Sequence, residues 1–385
     1  MRQVSLGEVC TVTSGQSAPQ DSEAFGAEGH PFIRAGSLEA LTNGGREDDC
    51  EHISDEKAQQ YRMRLFPKDT ILFAKSGMSA KIGRVYRLKQ PAYVVSHLAA
   101  VIPGDGVDPG YLQRWFERNP PSRLIPNEAY PSIRTSAIKA LEIALPGLKE
   151  QKRIAAILDK ADAIRRKRQQ AIQFADEFLR SVFLDMFGDP VTNPKGWDTK
   201  LLSEVGEIAR GKSKHRPRND PMLLGGEYPL IQTGDVANAN HYITSYTQTY
   251  SEIGLAQSKM WPAGTLCITI AANIADTAIL TFDACFPDSV VGFTPSNLVR
   301  TEYIHMWLQF YQKILRDKAP ESAQKNINLK ILSELNVPIP EIHLQDQFVD
   351  MFNSIERVKG RMRDSTSGCT SVFQSISQRA FRGYL

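Results

Sequence analysis

A chain of 385 residues that is 42% hydrophobic and 23% charged can bury ordinary globular cores, and its length suggests two or three domains. Its net charge is only +3, so any nucleic-acid footprint must come from local clusters of cations. Five scattered cysteines (Cys10, Cys50, Cys267, Cys285 and Cys369) form no Cys-x-x-Cys pair, and no apolar run approaches the ~20 residues of a membrane span, which argues against a disulfide frame, a zinc site or a transmembrane protein. The polar opening Met1-Arg2-Gln3-Val4 does not read as a signal peptide, and a soluble cytoplasmic chain is expected.

From its start the chain says everything twice. Leu6-Gly7-Glu8-Val9 with Gly15 returns as Leu202-Ser203-Glu204-Val205 with Gly211, displaced by 196 residues. His30-Pro31-Phe32-Ile33 with Gly36 returns as Tyr228-Pro229-Leu230-Ile231 with Gly234, and Pro67 and Thr70 return as Pro262 and Thr265. Ala92, Pro103, Tyr111 and Trp115 match Ala284, Pro295, Tyr303 and Trp307 at 192. Ile133, Leu141, Pro146, Gln151, Ser181 and Phe187 match Ile327, Leu335, Pro340, Gln345, Ser375 and Phe381 at 194. Chance matches would not stay in order, so the chain is a tandem duplication.

Within each copy, short β-branched and aromatic runs such as Thr70-Ile71-Leu72-Phe73 and Thr265-Leu266-Cys267-Ile268 are separated by Gly, Pro, Asn and Asp, which predicts a β-rich domain. Tyr111, Leu112, Trp115 and Phe116, with their counterparts Tyr303, Ile304, Trp307 and Leu308, have the spacing of a helix face and are expected in the core. After Pro146 the apolar residues change to a seven-residue period: Ile154, Ile157, Ala161, Ile164, Ala171, Ala175, Phe178 and Val182. Phe348, Met351, Ile355, Val358, Met362, Cys369, Val372 and Ile376 repeat that period in the second copy. An unbroken helix from Leu148 to Phe187 would be about 60 Å long, and its stripe needs a mate, for which its own repeat is the obvious choice. The expected helix-pairing residues are Ile154, Ile157, Ile164, Phe178 and Val182 on the first helix, and Phe348, Met351, Ile355, Val358, Val372 and Ile376 on the second.

Two enzyme-like motifs fail on context. Gly206-Glu207-Ile208-Ala209-Arg210-Gly211-Lys212-Ser213 fits the Walker A pattern, but the proline-rich stretch His215 to Pro221 follows where a helix is needed, and the first copy lacks the lysine. Asn119-Pro120-Pro121-Ser122 lacks the aromatic residue of the adenine-gripping motif of amino-methyltransferases. The seven histidines form no ligand cluster by spacing, and no metal is expected. A coiled-coil scaffold would explain the apolar seam but not the basic loops at matched places.

Leu145-Pro146-Gly147-Leu148-Lys149-Glu150-Gln151-Lys152-Arg153-Ile154 resembles the segment that leads from recognition domain into conserved helix in the specificity subunits of type I restriction-modification systems. Val337-Pro338-Ile339-Pro340 with Gln345 is its second-copy form. Leu65-Phe66-Pro67-Lys68-Asp69-Thr70-Ile71-Leu72 with Ile82-Gly83 is similar to the strand-and-turn core of that family's recognition domains, and Ser377-Gln378-Arg379-Ala380-Phe381-Arg382-Gly383 resembles its C-terminal ending. The second copy departs from the pattern at Thr277-Ala278, where the first has Ile82-Gly83.

The resemblance covers nearly the whole chain and implies an α+β architecture. Target-recognition domains at 1–147 and 189–341 would be separated by conserved spacer helices at 148–188 and 342–385, which pair as an antiparallel coiled coil. It further implies a non-catalytic reader of a bipartite duplex DNA target that needs no cofactor and takes no small-molecule substrate. Methyltransferase (modification) subunits, two of them, and restriction/translocase subunits would be its partners.

Loops that differ between the copies, while lying between matched strands, are where two different half-targets would be read. In the first copy these are Ser14, Gly15, Gln16, Ser17, Arg34, Ser37, Lys75, Ser76, Lys81 and Arg134. In the second they are Arg210, Lys212, Lys214, Arg216, Arg218, Gln232, Thr233, Asp235, Asn273, Gln324, Lys325 and Asn326. Arg and Lys suit phosphates and guanine edges, while Gln and Asn suit adenine.

Overall fold

The computed structural model describes residues 2–271, 274–318 and 327–382, and the chain divides into two compact units, 1–169 with 364–385 and 170–363. The division falls inside two long helices, Leu148–Phe187 and Ile342–Arg382.

In the first unit, strand Arg2–Ser5 pairs antiparallel with Glu142–Leu145, so the entrance and exit of the β domain are zipped together. Between them lies an antiparallel sheet in the order Cys10–Ser14, Leu98–Pro103, Ile71–Ala74, Val85–Arg87. Ile71, Leu72 and Phe73 are all fully buried, because this sheet is covered on both faces, and that is why the strand reads as a continuous apolar run. Phe73 and Val101 face the aromatic helix Pro109–Arg118, whereas Leu72 and Ala100 face Phe32 and Ile33 of a second sheet. That sheet joins His52–Ile53, His30–Ile33 and Tyr93–Val94, the last two in parallel.

The second unit repeats this plan. Thr199–Leu201 pairs with Asn336–Pro338, and the main sheet runs Gly206–Arg210, Val290–Pro295, Leu266–Thr269, Thr277–Leu280, with Tyr242–Ile243 added as a parallel edge. Tyr111 and Tyr303, the predicted core aromatics, are buried, and each donates its hydroxyl to the carbonyl of the returning strand, Ala144 at 2.6 Å and Pro338 at 2.9 Å. Cys10, Cys267 and Cys285 are unbridged and buried, and burial pushes the Cys10 thiol up to about 11, as suits an inert core thiol.

Each long helix begins at the same buried amide. Gln151 donates to the carbonyls of Gly106 (2.9 Å) and Pro146 (2.8 Å) and accepts from the Asp108 amide at 2.8 Å. Gln345 donates to the carbonyls of Leu298 (3.2 Å) and Pro340 (2.9 Å) and accepts from the Arg300 amide at 2.9 Å. In both copies one side chain therefore ties together the loop before the aromatic helix, the exit from the β domain and the first helical turn.

In the second unit the two helices run antiparallel, since Phe187 and Phe183 meet Phe348 while Asp176 meets Lys359 further along. The buried positions differ from the predicted stripe. Ile154 and Phe348 are in the core and Ile157, Val182 and Ile355 are partly buried, but Ile164 (47% exposed), Phe178 (57%), Met351 (37%) and Val358 (49%) face outward. Leu158, Leu179, Phe183 and Phe187 on the first helix, and Phe352 and Lys359 on the second, take the interior instead. The reason is periodicity: buried positions at Gln151, Ile154, Leu158, Asp162 and again Leu179, Phe183, Phe187 follow the 3.6-residue period of a straight helix, from which a seven-residue stripe drifts by ~20° per heptad. The mate of each helix includes its β domain as well as another helix, as Phe183 against Tyr303 shows. The side chains of Val372 and Ile376 lie outside the described part of the structure.

Replacing Gln345 with Ala strands one buried amide and two carbonyls, and is expected to cost about 3 kcal/mol. Urea unfolding followed by circular dichroism checks this, and an unchanged midpoint would refute the clamp.

Candidate nucleic-acid interface

The loops chosen from sequence in the first unit converge on one short segment, Val94–Leu98. Gly15 donates to the Leu98 carbonyl (3.1 Å), Gln16 to that of Val94 (2.8 Å) and Lys75 to that of His97 (2.9 Å), while the amides of Val95 and Ser96 donate to Ile33 and Gln16. Ile133 closes the set by donating to the Lys75 carbonyl at 2.7 Å. A Cβ on Gly15 would lie 2.2 Å from the carbonyl oxygens of Val94 and Val95, so only glycine permits this approach. Ser14–Ser17, Arg34, Lys75, Ser76 and Arg134 are thereby gathered on one rim.

The same frame recurs in the second unit around Phe286–Val290. Gly211 donates to the Val290 carbonyl, Ile231 to Cys285, Ile270 to Ser289 and Ile327 to Ile270. A Cβ on Gly211 would lie 2.2 Å from the Phe286 carbonyl oxygen. Backbone geometry is conserved between the copies while the side chains on it have changed.

Several chosen side chains are engaged within the protein. Gln16 holds the turn after helix Asp55–Gln60, donating to the Arg62 carbonyl at 2.7 Å and accepting from the Arg64 amide. Arg34 pairs with Glu51 at 2.6 Å and lies over the rings of Phe25 and Phe32, with the Ser37 hydroxyl accepting from its amide. Ser76 bonds His97 at 2.8 Å, and Lys81 lies 3.8 Å from Glu128. Arg216 and Arg218 both pair with Asp288, and Asp235 caps its own helix by accepting from the Gln232 amide. Lys75 and Arg134 in the first unit, and the exposed Arg210, Lys212 and Lys214 in the second, pair with no carboxylate among the described residues. Arg218, Gln232 and Thr233, with Ser213, Asn219 and Gln248, line a cleft of about 350 Å³ in which Gln232 bonds the Gln248 amide and the buried Ser213 hydroxyl has no partner among the described residues. Asn273, Gln324, Lys325 and Asn326 lie outside the described residues.

Sequence reading missed His97, Asp288 and Gln257. Gln257 accepts from the amides of Lys214 (2.6 Å) and His215 (2.9 Å), fixing the basic loop from the opposite side to Gln16. The signal for His97 and Asp288 was their place in segments matched at 192 residues, next to strand ends. The Walker-like stretch is placed on strand Gly206–Arg210 and in the loop that follows, with no helix at Lys212-Ser213 to cradle a phosphate. On the first long helix, Arg165 and Arg166 pair with Asp162, which also bonds the buried Arg114. Although burial opposes it, Arg165, Arg114 and Arg166 hold the Asp162 carboxyl below the usual carboxylate range.

A second charged cluster lies inside the second unit. Asp176, His241 and Glu356 bring ligand atoms within 4.8 Å of one another, a set that suits a divalent cation. The charge they need is already supplied by the fully buried Lys359 ammonium, bonded to both carboxylates. His241 passes the network to His305 at 2.8 Å, and His305 to the Thr277 hydroxyl at 2.9 Å.

Fold and rims together define a tandem-repeat protein: two α+β modules, each with a polar, cation-bearing rim, spliced to long helices. Its sequence matches the family model described as type I restriction modification DNA specificity domain over residues 1–173 and 194–361, and the chain belongs to that family. Among relatives, the MjaIX specificity subunit of Methanocaldococcus jannaschii is 28% identical over 47% of this chain, although that match spans only 45% of the relative's length. The EcoBI specificity subunit of Escherichia coli is 21% identical over 99% of this chain and 85% of its own. The S subunit of a type I system from M. genitalium shares the fold, with a TM-score of 0.63 at 14% identity over 99% of this chain and 96% of that one.

The buried histidine gives the second unit a titratable signature. Burial, then His241 and Lys359, hold His305 well below 6.5, so it is neutral when folded and takes up a proton on unfolding below that pH. Stability should therefore fall as pH drops from about 6.5 toward 5, with a limiting slope of about 1.4 kcal/mol per unit from this group. Urea titrations across that window should show the slope, and His305→Gln should flatten it.

Proposed function

We propose that this chain reads a bipartite duplex DNA target, one half through each rim, and directs methyltransferase and restriction subunits to it without a catalytic site of its own. The observation that carries the reading is the repeated backbone frame with diverged side chains: two equivalent platforms presenting different donors and acceptors. Lys75 and Arg134 on one rim, and Arg210, Lys212 and Lys214 on the other, suit phosphates, which position a reader. The amides of Gln232 and Gln248 and the guanidinium of Arg218 suit base edges. Two equivalent starts of the long helices suit two copies of a methyltransferase subunit, and the EcoBI relative takes its name from a type I restriction enzyme.

Mapping of modified adenines in DNA from cells that express the chain with its methyltransferase tests the reading: two short specified blocks separated by an unspecified gap are expected, and a single continuous block would refute it. Lys75→Ala and Arg134→Ala should each weaken binding across all sequences and lower the salt slope by about one unit. Binding isotherms at several salt concentrations check this, and loss confined to one sequence would assign those residues to base edges instead.

A further inference from the structure

Tyr130 (82% exposed) and Met78 (70%) are the two most exposed large apolar side chains among the described residues, and both belong to the first rim. Met78 and Ile82 (58% exposed) stand four residues apart on the short helix Met78–Ile82, and so share a face. Tyr130 precedes Pro131, whose carbonyl accepts from the Gly77 amide at 3.0 Å, and Ser76 bridges to Ser132. The segment bearing Tyr130 thus runs beside the start of that helix, where Lys81 lies 3.8 Å from Glu128. No requirement of folding explains three large apolar side chains left in water at one place, and clustered exposure of this kind marks a contact surface.

The charge around them selects the occupant. Lys75, Arg134, Arg62 and Arg64 share the rim, the last two joined to it through Gln16. Cations on the same rim as an apolar point match a surface that is anionic outside and apolar at a specific edge within. In duplex DNA that edge is the C5-methyl of thymine in the major groove, the one apolar group by which a base pair is distinguished there.

We propose that Met78, Ile82 and Tyr130 read an A·T pair of the first half-target through its thymine methyl. The inference rests on the DNA-reading function proposed above and adds a determinant to it. Rims of different chemistry would then serve the two halves: an apolar contact in the first unit, amide and guanidinium groups in the second.

The test uses the full chain with its methyltransferase and synthetic duplexes of the mapped target, with each thymine in turn replaced by deoxyuridine. Deoxyuridine pairs identically and lacks only the methyl. At one position or more, the replacement should weaken wild-type binding about four-fold, the value of one buried methyl-sized group. That penalty should vanish in the Met78→Ala/Ile82→Ala/Tyr130→Ser variant. Equal binding of every substituted duplex by wild type, a penalty that persists in the variant, or a mapped target without an A·T pair would each overturn the proposal. Failure of wild type to bind the unsubstituted duplex would instead overturn the DNA-reading function, so the two failures are distinguishable.

Discussion

Two buried glutamine side chains hold this architecture together. Where a strand leaves a β domain and a helix begins, backbone carbonyls and amides are removed from water before any regular ladder can satisfy them, and each such group left alone costs on the order of 1–3 kcal/mol. Gln151 and Gln345 meet the demand with both N–H donors and the carbonyl oxygen of the amide, on three chain segments at once. The direction of each long helix, the closure of each β domain by its terminal strand pair and the seating of the aromatic helix all follow from that joint. Because the joint is the same in both copies, the two rims are built on equivalent scaffolds.

On those scaffolds the backbone and the side chains have separate tasks. Backbone amides and carbonyls from Val94–Leu98 and Phe286–Val290 hold the surrounding loops, and Gly15 and Gly211 permit the close approach. Side chains are then free to vary, yet many are still spent on structure: Arg34 on Glu51 and two aromatic rings, Arg216 and Arg218 on Asp288. A cation already paired with a carboxylate offers a polyanion less than an unpaired one, so a count of basic residues in a loop overstates its available charge.

The duplication, the order of its parts and the two long helices were legible from residue spacing alone, because matched positions such as Tyr111 and Tyr303 or Gln151 and Gln345 are fixed by packing and hydrogen bonding. The rim was legible in part. Strand ends locate loops, but which loop side chains turn inward depends on partners distant in sequence, as with Gln16 and Arg62, 46 residues apart. The helix stripe was displaced for a different reason: a seven-residue pattern identifies a mate only when that mate is a single helix running alongside, and Phe183 and Phe187 pack on two at once, at Tyr303 and at Phe348. Lys359 had no signal at all, since a lysine at full burial is credible only once Asp176 and Glu356 are seen around it.

Gln16 and Gln257 close the same joint from opposite banks. In the first copy the amide stands on the loop after strand Cys10–Ser14 and reaches the turn after helix Asp55–Gln60; in the second it stands after helix Glu252–Ala256 and reaches back to the loop after Gly206–Arg210. Crossing-over between the two halves of the gene would therefore give unequal products. A recombinant that enters on the first copy and leaves on the second inherits both amides, crowded at one crossing. The reciprocal recombinant has Lys212 in place of Gln16 and lacks Gln257. Inheritance of whole modules escapes this penalty, so the joint favours genetic exchange at the ends of a β domain over exchange within it.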